Sequence, residues 1–312
     1  MIVVAGEALI DLVPAGKAPD GGPATGPGGD LPALLPRRGG GPYNTAVALG
    51  RLGARAAFCS RVSTDGFGES LLAGLRDAGV DVSLVQRGPE PTTLAVADIG
   101  ADGSAGYSFY AEGTADRLFG LPGALPEAVR ALCLGTCSLV LEPGASAYEA
   151  LLRREAERGV LTLLDPNIRP GLIADADAYR ARFRSWLPYV SVLKLSAEDA
   201  RWLGGSPEEW LAAGPAAVVV THGGEGLTAH TRSGGRISVP APQVEVVDTI
   251  GAGDTVNAAL LHRLAGTPDG LAAAPDGPDA GAWHDALAFA ARAAAVTCTR
   301  AGAEPPRPDE LS

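Results

Sequence analysis

A candidate anion-binding turn and a candidate base lie side by side at residues 248–254, which read Asp-Thr-Ile-Gly-Ala-Gly-Asp. The small residues Gly251, Ala252 and Gly253 let a ligand approach the backbone closely. The Ala- and Leu-rich run that follows predicts a helix, whose free N–H groups would face a phosphate or a developing oxyanion. Asp254 lies where that helix begins, so its carboxylate could take a proton from a substrate hydroxyl. The simpler interpretation is a tight turn with Asp254 as the helix cap.

The length and composition predict one large folded unit without a membrane span. The 312 residues can bury a full core, as a single α/β unit or as one unit with a small appendage. Apolar residues make up 46% of the chain, but no apolar run approaches the ~20 residues of a membrane span. The N-terminus has no basic segment of a secretory signal, so we expect a cytoplasmic protein. The four cysteines are scattered, which favours free thiols over disulfides or zinc.

The charge distribution argues against nucleic acid and membrane surfaces as partners. The formal net charge is −11, and the chain has no basic run. A nucleotide can still bind, because helix N-termini, Mg²⁺ and a few cations handle phosphate locally. Arginine supplies all but two of the 25 basic residues, the exceptions being Lys17 and Lys194. Lys194 is notable because it lies in an apolar stretch at residues 190–195.

The order of the predicted elements indicates a mostly parallel sheet covered on both faces. Short apolar strands alternate with helical segments, as in doubly wound α/β folds. These strands are predicted at residues 2–5, 56–59, 132–134, 161–164, 190–195 and 217–220. A hairpin at 93–99 and 107–110 breaks the alternation, so we place it outside the main sheet. Helices are predicted at 44–52, 65–78 and 283–300, an antiparallel strand pair at 226–231 and 236–239, and loops at 14–30 and 266–282.

Five short motifs follow one another along nearly the whole chain. They are Gly-Gly-Gly-Pro-Tyr-Asn at 39–44, Asp-Gly-Phe-Gly at 65–68, Asp-Pro-Asn-Ile-Arg-Pro at 165–170, Thr-His-Gly-Gly-Glu-Gly at 221–226, and the turn at 248–254. In this order they resemble the ribokinase-like carbohydrate kinases of the phosphofructokinase-B type, and within them the fructokinase branch. The resemblance implies a doubly wound α/β fold with a mostly parallel sheet, helices on both faces and a small β-sheet lid.

The resemblance also sets the expected domains. We expect a core that binds nucleotide and sugar at residues 1–11, 39–88 and 117–312, and a lid at 12–38 and 89–116. The lid would close over the sugar and exclude water, which limits wasteful hydrolysis of ATP. An exposed lid sheet could also pair with a second copy of the chain, which leaves open a homodimer formed through the lid.

The resemblance assigns the chemistry to the turn at 248–254 and the sugar to the first motif. Asp254 is the expected base, and the N–H groups of the three small residues before it are expected to stabilise the transferring charge. The expected sugar contacts are Asp11, Gly39, Gly40, Asn44 and Arg169. From the residues alone, Asp11 fits a solvated turn acid equally well, and Asn44 fits a helix cap.

The nucleotide is expected at the ends of two later strands. By resemblance, its contacts are Lys194, Ser196, Thr221, Gly223, Gly224 and Gly226. From the residues alone, the alternatives are a plain β-turn at 221–226 and a lysine that extends to solvent. Mg²⁺ is expected near Asp199, which stands where the family has Glu and is one methylene shorter. Either Asp199 acts through water or the neighbouring Glu198 takes its place.

By the same resemblance, a K⁺ ion lies behind the turn and orders its backbone. The expected ligand positions are Asp248, Ile250, Thr297, Arg300, Gly302 and Pro306. Two more positions depart from the family pattern: Ser63, where a Gly is usual, and Ala111, where the lid usually has an Arg. The first predicts a local change in a loop, and the second bears on the choice of substrate.

The expected activity is transfer of the γ-phosphoryl group of ATP to a primary hydroxyl of a small sugar, with fructose favoured. A 2-keto-3-deoxygluconate kinase would share every motif and is an alternative. A ribokinase or nucleoside kinase is another, although a nucleoside kinase would need more aromatic surface than Tyr107, Phe109 and Tyr110 provide. A non-catalytic sugar sensor would be expected to lack Asp254, which is present.

Overall fold

The computed structural model describes residues 1–15, 33–99, 105–265 and 279–311. The strands of these residues are β1 (Ile2–Ala5), β2 (Leu9–Pro14), β3 (Leu34–Gly39), β4 (Ala56–Cys59), β5 (Arg61–Ser63), β6 (Gln86–Gly88), β7 (Leu94–Ile99), β8 (Ala105–Tyr110), β9 (Ala131–Gly135), β10 (Leu161–Asp165), β11 (Val192–Ser196), β12 (Ala217–Thr221), β13 (Leu227–Thr231) and β14 (Arg236–Val239). The α-helices are α1 (Gly41–Arg51), α2 (Gly66–Asp77), α3 (Gly144–Glu157), α4 (Ala176–Trp186), α5 (Ala197–Leu203), α6 (Pro207–Ala213), α7 (Ala252–Ala265) and α8 (Ala280–Cys298). Among these helices, none combines the length and the apolar character that crossing a membrane requires.

The main sheet has eight strands in the order β14-β13-β12-β11-β10-β9-β1-β4 within the described residues. Neighbours from β4 to β12 are parallel, whereas β13 and β14 are antiparallel to their neighbours. The strands β1, β9 and β10 are buried along their whole length because helices cover both faces of the sheet. The doubly wound α/β fold and the antiparallel pair near its end are therefore confirmed.

Two apolar cores lie on the two faces of the main sheet, because successive strand residues point in opposite directions. On one face, Val4 and Leu163 pack with α1, α2, α7 and α8. On the other face, Val3 and Leu164 pack with α3, α4, α5 and α6. All four cysteines are free, as expected, and three of them are buried. Packing on both faces fixes the strand ends, which carry the candidate site.

A smaller sheet of four strands, in the order β3-β2-β7-β8, lies apart from the main sheet. Its β7–β8 hairpin, which pairs Leu94 with Tyr110, confirms that these strands lie outside the main sheet. The strand β2 begins at Leu9, inside the segment assigned to the core, and pairs with β3 as far as Gly39. The division into core and lid stays a prediction. Most of the expected loop at 14–30 lies outside the described residues.

Capping side chains determine where several helices begin. Asp65 precedes α2 and accepts a hydrogen bond from the N–H of Gly68 at 2.7 Å. Ser63, which replaces the usual glycine, accepts a bond from the N–H of Asp65 at 3.0 Å. The helix α8 begins earlier than residue 283 because Asp279 caps it, accepting from the N–H of Ala282 at 2.8 Å. The rest of the loop predicted before it, residues 266–278, is outside the described residues.

Candidate active site

The carboxyl ends of the parallel strands and the start of α7 surround a cleft of about 750 Å³. Open α/β sheets bind their ligands at this edge, because parallel strands all end there. The predicted site residues that line the cleft are Asp11, Gly40, Asn44, Arg169, Lys194, Ser196, Asp199, Thr221, Gly223, Asp248, Ile250, Gly251, Gly253 and Asp254. The fold thus brings residues from the whole length of the chain into one site.

Asp254 is a buried carboxyl in the first turn of α7. Its Oδ2 accepts a hydrogen bond from Nδ2 of Asn44 at 2.9 Å. Burial raises the pKa of Asp254 to about 7; the bond from Asn44 opposes this rise, and the nearby charge of Asp165 adds to it. Because α7 begins at Ala252, the interpretation of Asp254 as a simple helix cap is wrong. A carboxyl with this pKa can act as a base near neutral pH.

The turn before Asp254 presents bare backbone to the cleft. Gly251 has a φ of +77°, and a Cβ atom there would lie 2.6 Å from Cβ of Ala303, so only glycine fits. The N–H of Ala252 donates to the carbonyl of Thr249 at 3.2 Å. Among the described residues, the N–H groups of Gly251 and Gly253 have no acceptor. Two of the three expected donors are therefore free to bind an anion.

Lys194 is buried beside this turn and does not extend to solvent. Its Nζ forms an ion pair with Oδ2 of Asp165 at 2.8 Å, and the same oxygen accepts a bond from Asn257 at 2.8 Å. Burial alone would lower the pKa of Lys194, but Asp165 raises it above its usual value, so the ammonium stays charged. A Cβ on Gly253 would lie 3.0 Å from this Nζ, which places a fixed positive charge next to the turn.

Asp11 and Arg169 both line the cleft, near enough for their charges to interact. Burial raises the pKa of Asp11 to about 6, and the Arg169 guanidinium opposes the rise. Arg169 also donates to Oδ1 of Asn167 at 2.7 Å. Gly39 provides the room for Asp11, since a Cβ at Gly39 would lie 1.9 Å from its Oδ2.

Sequence reasoning missed Thr136 and Asn167 as site residues. Both line the cleft with positive φ angles, +61° and +37°, which are uncommon outside glycine and cluster at functional sites. A Cβ on Gly41 would lie 2.7 Å from Oγ1 of Thr136, 3.2 Å from Oδ1 of Asp254 and 3.4 Å from Nδ2 of Asn167. These polar groups therefore surround one small space. Their positions just after β9 and β10 were the available signal.

A second cavity, of about 290 Å³, continues from the cleft and is mostly apolar. The two cavities share Thr221, Gly223, Thr249 and Gly253. The remaining predicted site residues that line the second cavity are Gly224, Gly226 and Ala252. Its apolar wall includes Leu227, Val244, Val246, Val256 and Ala291. The shape suits a planar base in the apolar cavity, with its phosphates lying toward the turn and Asp254.

Comparison with known proteins agrees with this geometry. The model of the family described as pfkB family carbohydrate kinase matches residues 1–310. The chain belongs to the pfkB family of carbohydrate kinases.

Similar members of the pfkB family are fructokinases. The fructokinase of Rhizobium leguminosarum bv. trifolii is 40% identical over 273 residues, which cover 85% of this chain and 79% of the relative. The structure of the Xylella fastidiosa fructokinase with bound ATP has a TM-score of 0.85 at 28% identity, covering 99% of this chain and 96% of that chain. A double-mutant Vibrio cholerae O395 fructokinase with fructose, ADP and potassium ion bound has a TM-score of 0.82 at 27% identity, covering 99% and 96%.

The expected Mg²⁺ residue of this pfkB kinase, Asp199, is held firmly in place. Its Oδ2 accepts bonds from the N–H and the hydroxyl of Ser196, at 3.0 and 2.7 Å, and its Oδ1 accepts from the N–H of Ile168 at 2.8 Å. The bond from the N–H of Ser196, together with a bond from the N–H of Asp199 to Oγ of Ser196 at 3.0 Å, forms the capping box of α5. Both oxygens already accept protein donors, which favours a contact to Mg²⁺ through water. Glu198 also lines the cleft, but its side chain is 78% exposed and pairs with Arg201.

The expected K⁺ positions bring two chain segments together behind the turn. Asp248 accepts bonds from the N–H of Ile250 at 3.0 Å and from the N–H of Gly302 at 2.8 Å. Thr297 pairs through its hydroxyl with Thr255 of α7 at 3.0 Å. The other two expected positions, Arg300 and Pro306, lie in the same segment as Thr297 and Gly302, at residues 297–306. The described residues contain no cluster of three or more His, Cys, Asp or Glu that could hold a metal ion.

Proposed function

We propose that this pfkB kinase is a fructokinase, which transfers the γ-phosphoryl group of ATP to a primary hydroxyl of fructose. The observation that carries the proposal is Asp254, a buried carboxyl in the polar cleft beside two free N–H groups, next to Gly253, where the cleft meets an apolar cavity. Such an arrangement suits proton removal and stabilisation of a moving phosphoryl group. The 40% identity to a fructokinase over most of the chain supports fructose as the sugar.

In the proposed mechanism, Asp254 acts in its ionised form. It takes the proton of the sugar hydroxyl as the hydroxyl oxygen bonds to the γ-phosphorus of ATP. The bond between the γ-phosphorus and the β–γ bridging oxygen breaks, and ADP leaves with that electron pair. The N–H groups of Gly251 and Gly253 face the charge that spreads over the transferring group, and Lys194 adds a positive charge beside them.

We further propose the arrangement of the substrates in the cleft. The sugar lies between Asp254 and the small sheet, where hydroxyls can bond to Asp11, Asn44 and the backbone at Gly40. The adenine occupies the apolar cavity next to Gly224 and Gly226. The Xylella fastidiosa fructokinase, solved with bound ATP, supports ATP as the phosphoryl donor. Closure of the small sheet over this end would exclude water from the reaction.

We propose that two cations assist the transfer of the phosphoryl group. Mg²⁺, held through water by Asp199 and by the phosphates, would neutralise charge on the triphosphate. K⁺, at the segment joined by Asp248 and Gly302, would order the turn that carries the free N–H groups. A related fructokinase has been solved with potassium ion and another form with calcium ion, which supports cation sites in this group.

We propose a cytoplasmic homodimer that pairs through the small sheet. Support for the dimer is the exposure of Tyr110 (64%) on β8 and of Leu35 (42%) on β3, the two edge strands. Sedimentation velocity should show a dimer, and Tyr110→Lys should shift it toward monomer. A wild-type monomer at micromolar concentration would contradict this part of the proposal.

The substrate is tested by measuring ADP release from ATP with a panel of acceptors. The panel contains fructose, 2-keto-3-deoxygluconate, ribose and adenosine, each measured as kcat/KM with the same enzyme preparation. We expect fructose to give the highest value. A higher value with ribose or adenosine would replace the fructokinase proposal with a pentose or nucleoside kinase, and the absence of turnover with every sugar would oppose a kinase.

A further inference from the structure

A separate cavity of about 460 Å³ lies between α1, α2, β3 and the segment at 301–307. Its charged lining residues are Arg37, Arg38, Arg51, Arg307, Asp77 and Glu304. The cavity is therefore positive, in a chain whose net charge is −11. The catalytic cleft has the opposite balance, with Glu7, Asp11, Glu198, Asp199, Asp248 and Asp254 against Arg169 and Lys194. An anion that the cleft repels would be attracted to this cavity.

The wall of this cavity contains a buried polar pair. Tyr43 is only 4% exposed, and its hydroxyl lies beside the Arg38 guanidinium. Gly74 on α2 makes the room, because a Cβ there would lie 2.0 Å from Nη1 of Arg38 and 2.2 Å from the hydroxyl of Tyr43. Burial raises the pKa of Tyr43, so its hydroxyl keeps its proton. The pair thus supplies several N–H and O–H donors at one place.

Three of the four arginines form no ion pair with any described residue; of these, Arg38 donates from Nη1 to the carbonyl of Ser70 at 3.5 Å and keeps its other N–H donors. Arg51 is held by Glu304 at 2.6 Å and by the carbonyl of Pro305 at 3.0 Å. By contrast, Arg37 and Arg307 are exposed and form no ion pair with any described residue. A guanidinium group matches the geometry of a phosphate and can bind it through two parallel hydrogen bonds. The unpaired arginines therefore favour a phosphate group over a singly charged small ion.

The cavity shares residues with the catalytic site. Asn44 lines both the cavity and the cleft, and it donates to Asp254. On the opposite wall, Gly302 donates to Asp248, and Ala303 contacts the position where Gly251 lacks a side chain. An occupant would thus touch the supports of both the base and the turn.

We propose that this cavity is a second anion site, which binds a phosphate group supplied by inorganic phosphate or by a small sugar phosphate. The site is distinct from the one that binds the phosphates of ATP, and it goes beyond the proposed fructokinase activity. Arg37, Arg38 and Arg307 hold the phosphate group, and Tyr43 donates through its hydroxyl. Phe67, 39% exposed at the same cavity, offers apolar contact to the carbon skeleton of a sugar phosphate.

The test is calorimetric titration of the whole protein, with its cleft filled by fructose and a non-hydrolysable ATP analogue. Inorganic phosphate and glucose 6-phosphate are the two probes, and the tighter of them identifies the source of the phosphate group. The variant Arg37→Gln/Arg307→Gln should raise the Kd of both probes by about tenfold or more, the usual effect of losing charge-assisted bonds. The single variant Arg37→Gln should raise it by a smaller factor.

The matched control is Arg55→Gln/Arg130→Gln, which removes the same charge from exposed positions that do not line the cavity. It should leave the Kd within about twofold of wild type, since distant exposed charges are screened by salt. Melting temperatures without phosphate check that each variant folds. The absence of saturable binding to the wild type would overturn the proposal. The proposal would also be overturned if Arg37→Gln/Arg307→Gln and Arg55→Gln/Arg130→Gln weakened phosphate binding equally, because the binding would then reflect net charge alone.

Discussion

At the scale of single residues, the chemistry depends most directly on Asp254. Replacement by Asn keeps the size of the side chain and removes the base. We expect Asp254→Asn to fold and to bind ATP but to lower kcat by at least ~100-fold, the lower range for loss of a general base. Steady-state ADP release measures this. The control is Asp116→Asn, another buried carboxyl, which bonds to Thr93 and Thr114 and does not line the cleft. Near-wild-type turnover by folded Asp254→Asn would remove Asp254 as the base.

The raised pKa of Asp254 also predicts how activity depends on pH. Burial raises this pKa to about 7, and the carboxyl can accept a proton only in its ionised form, above that pKa. Hence kcat/KM should fall as the pH decreases through about 7, with the slope of one proton. Asn44→Ala removes the donor that favours the ionised form, so the midpoint should move to higher pH.

The control for this pH profile is Glu7, whose pKa burial also raises to about 7. Glu7 lines the same cleft and accepts bonds from Ser138. If Asp254 is the group observed, the fall in kcat/KM persists in Glu7→Gln with an unchanged slope. Loss of the fall in that variant would assign the titration to Glu7 instead.

Residue types and spacing pointed to Asp254 and to the turn before it, but not to the residues that contact them. Asn44 and Asp254 are separated by 210 positions, and no local pattern indicates that they bond. Thr136 and Asn167 were missed because their role follows from positive φ angles, which residue types other than glycine do not indicate. Only their positions after apolar strands pointed to the cleft.

At the scale of elements, β10, β11 and α7 are joined beneath the turn by Asp165, Lys194 and Asn257. Lys194→Met leaves a buried carboxylate without its cation, so we expect the free energy of unfolding to fall by about 3–5 kcal/mol. Denaturant unfolding measures this. Asp165→Leu/Lys194→Met removes both charges and should recover part of the loss. Arg201→Met breaks a pair whose side chains are 75% and 78% exposed and should change little. If Lys194→Met and Arg201→Met lowered the free energy of unfolding equally, this account would be contradicted.

The same elements show where sequence reasoning stops. Short apolar runs predicted the strands near their observed bounds, because buried parallel strands are apolar throughout. The choice between a solvent-exposed and a buried Lys194 needed the strand order. Asp165 lies on β10, the neighbour of β11, and this adjacency results from packing of the whole sheet. The pairing of elements is therefore the information that the sequence pattern lacked.

The segments that meet behind the turn predict a dependence on K⁺. Asp248 and Gly302 are bonded at 2.8 Å, and Gly251 packs against Ala303, so a cation there would order the free N–H groups. We expect kcat in K⁺ to exceed kcat in a bulky organic cation several-fold, at matched ionic strength and fixed Mg²⁺. Equal rates in the two cations would show that the turn is already ordered without K⁺.

At the scale of the whole molecule, the small sheet and the main sheet enclose a cleft with a strong excess of carboxylates. Potential inside such a cleft is set by all of its charges, because low-dielectric walls focus the field. Neutral sugar hydroxyls lose little binding free energy in this negative potential, and they can form hydrogen bonds with Asp11 and Asn44. A sugar carboxylate would be repelled unless a cation or several donors compensated it.

This difference predicts the preference between fructose and 2-keto-3-deoxygluconate. Ala111 stands where the family lid usually has an Arg. Arg169 already donates to Asn167 and interacts with the charge of Asp11, so few cationic groups remain to bind the carboxylate of the acid. We expect a higher kcat/KM for fructose, and Ala111→Arg should narrow the gap by improving the acid, since a guanidinium matches a carboxylate. Both substrates are measured on wild type, on Ala111→Arg and on Ala111→Gln, which has a long side chain without charge. A preference of the wild type for the acid would refute the choice of fructose. Equal narrowing by Arg and Gln would show that side-chain size, and not charge, limits the acid.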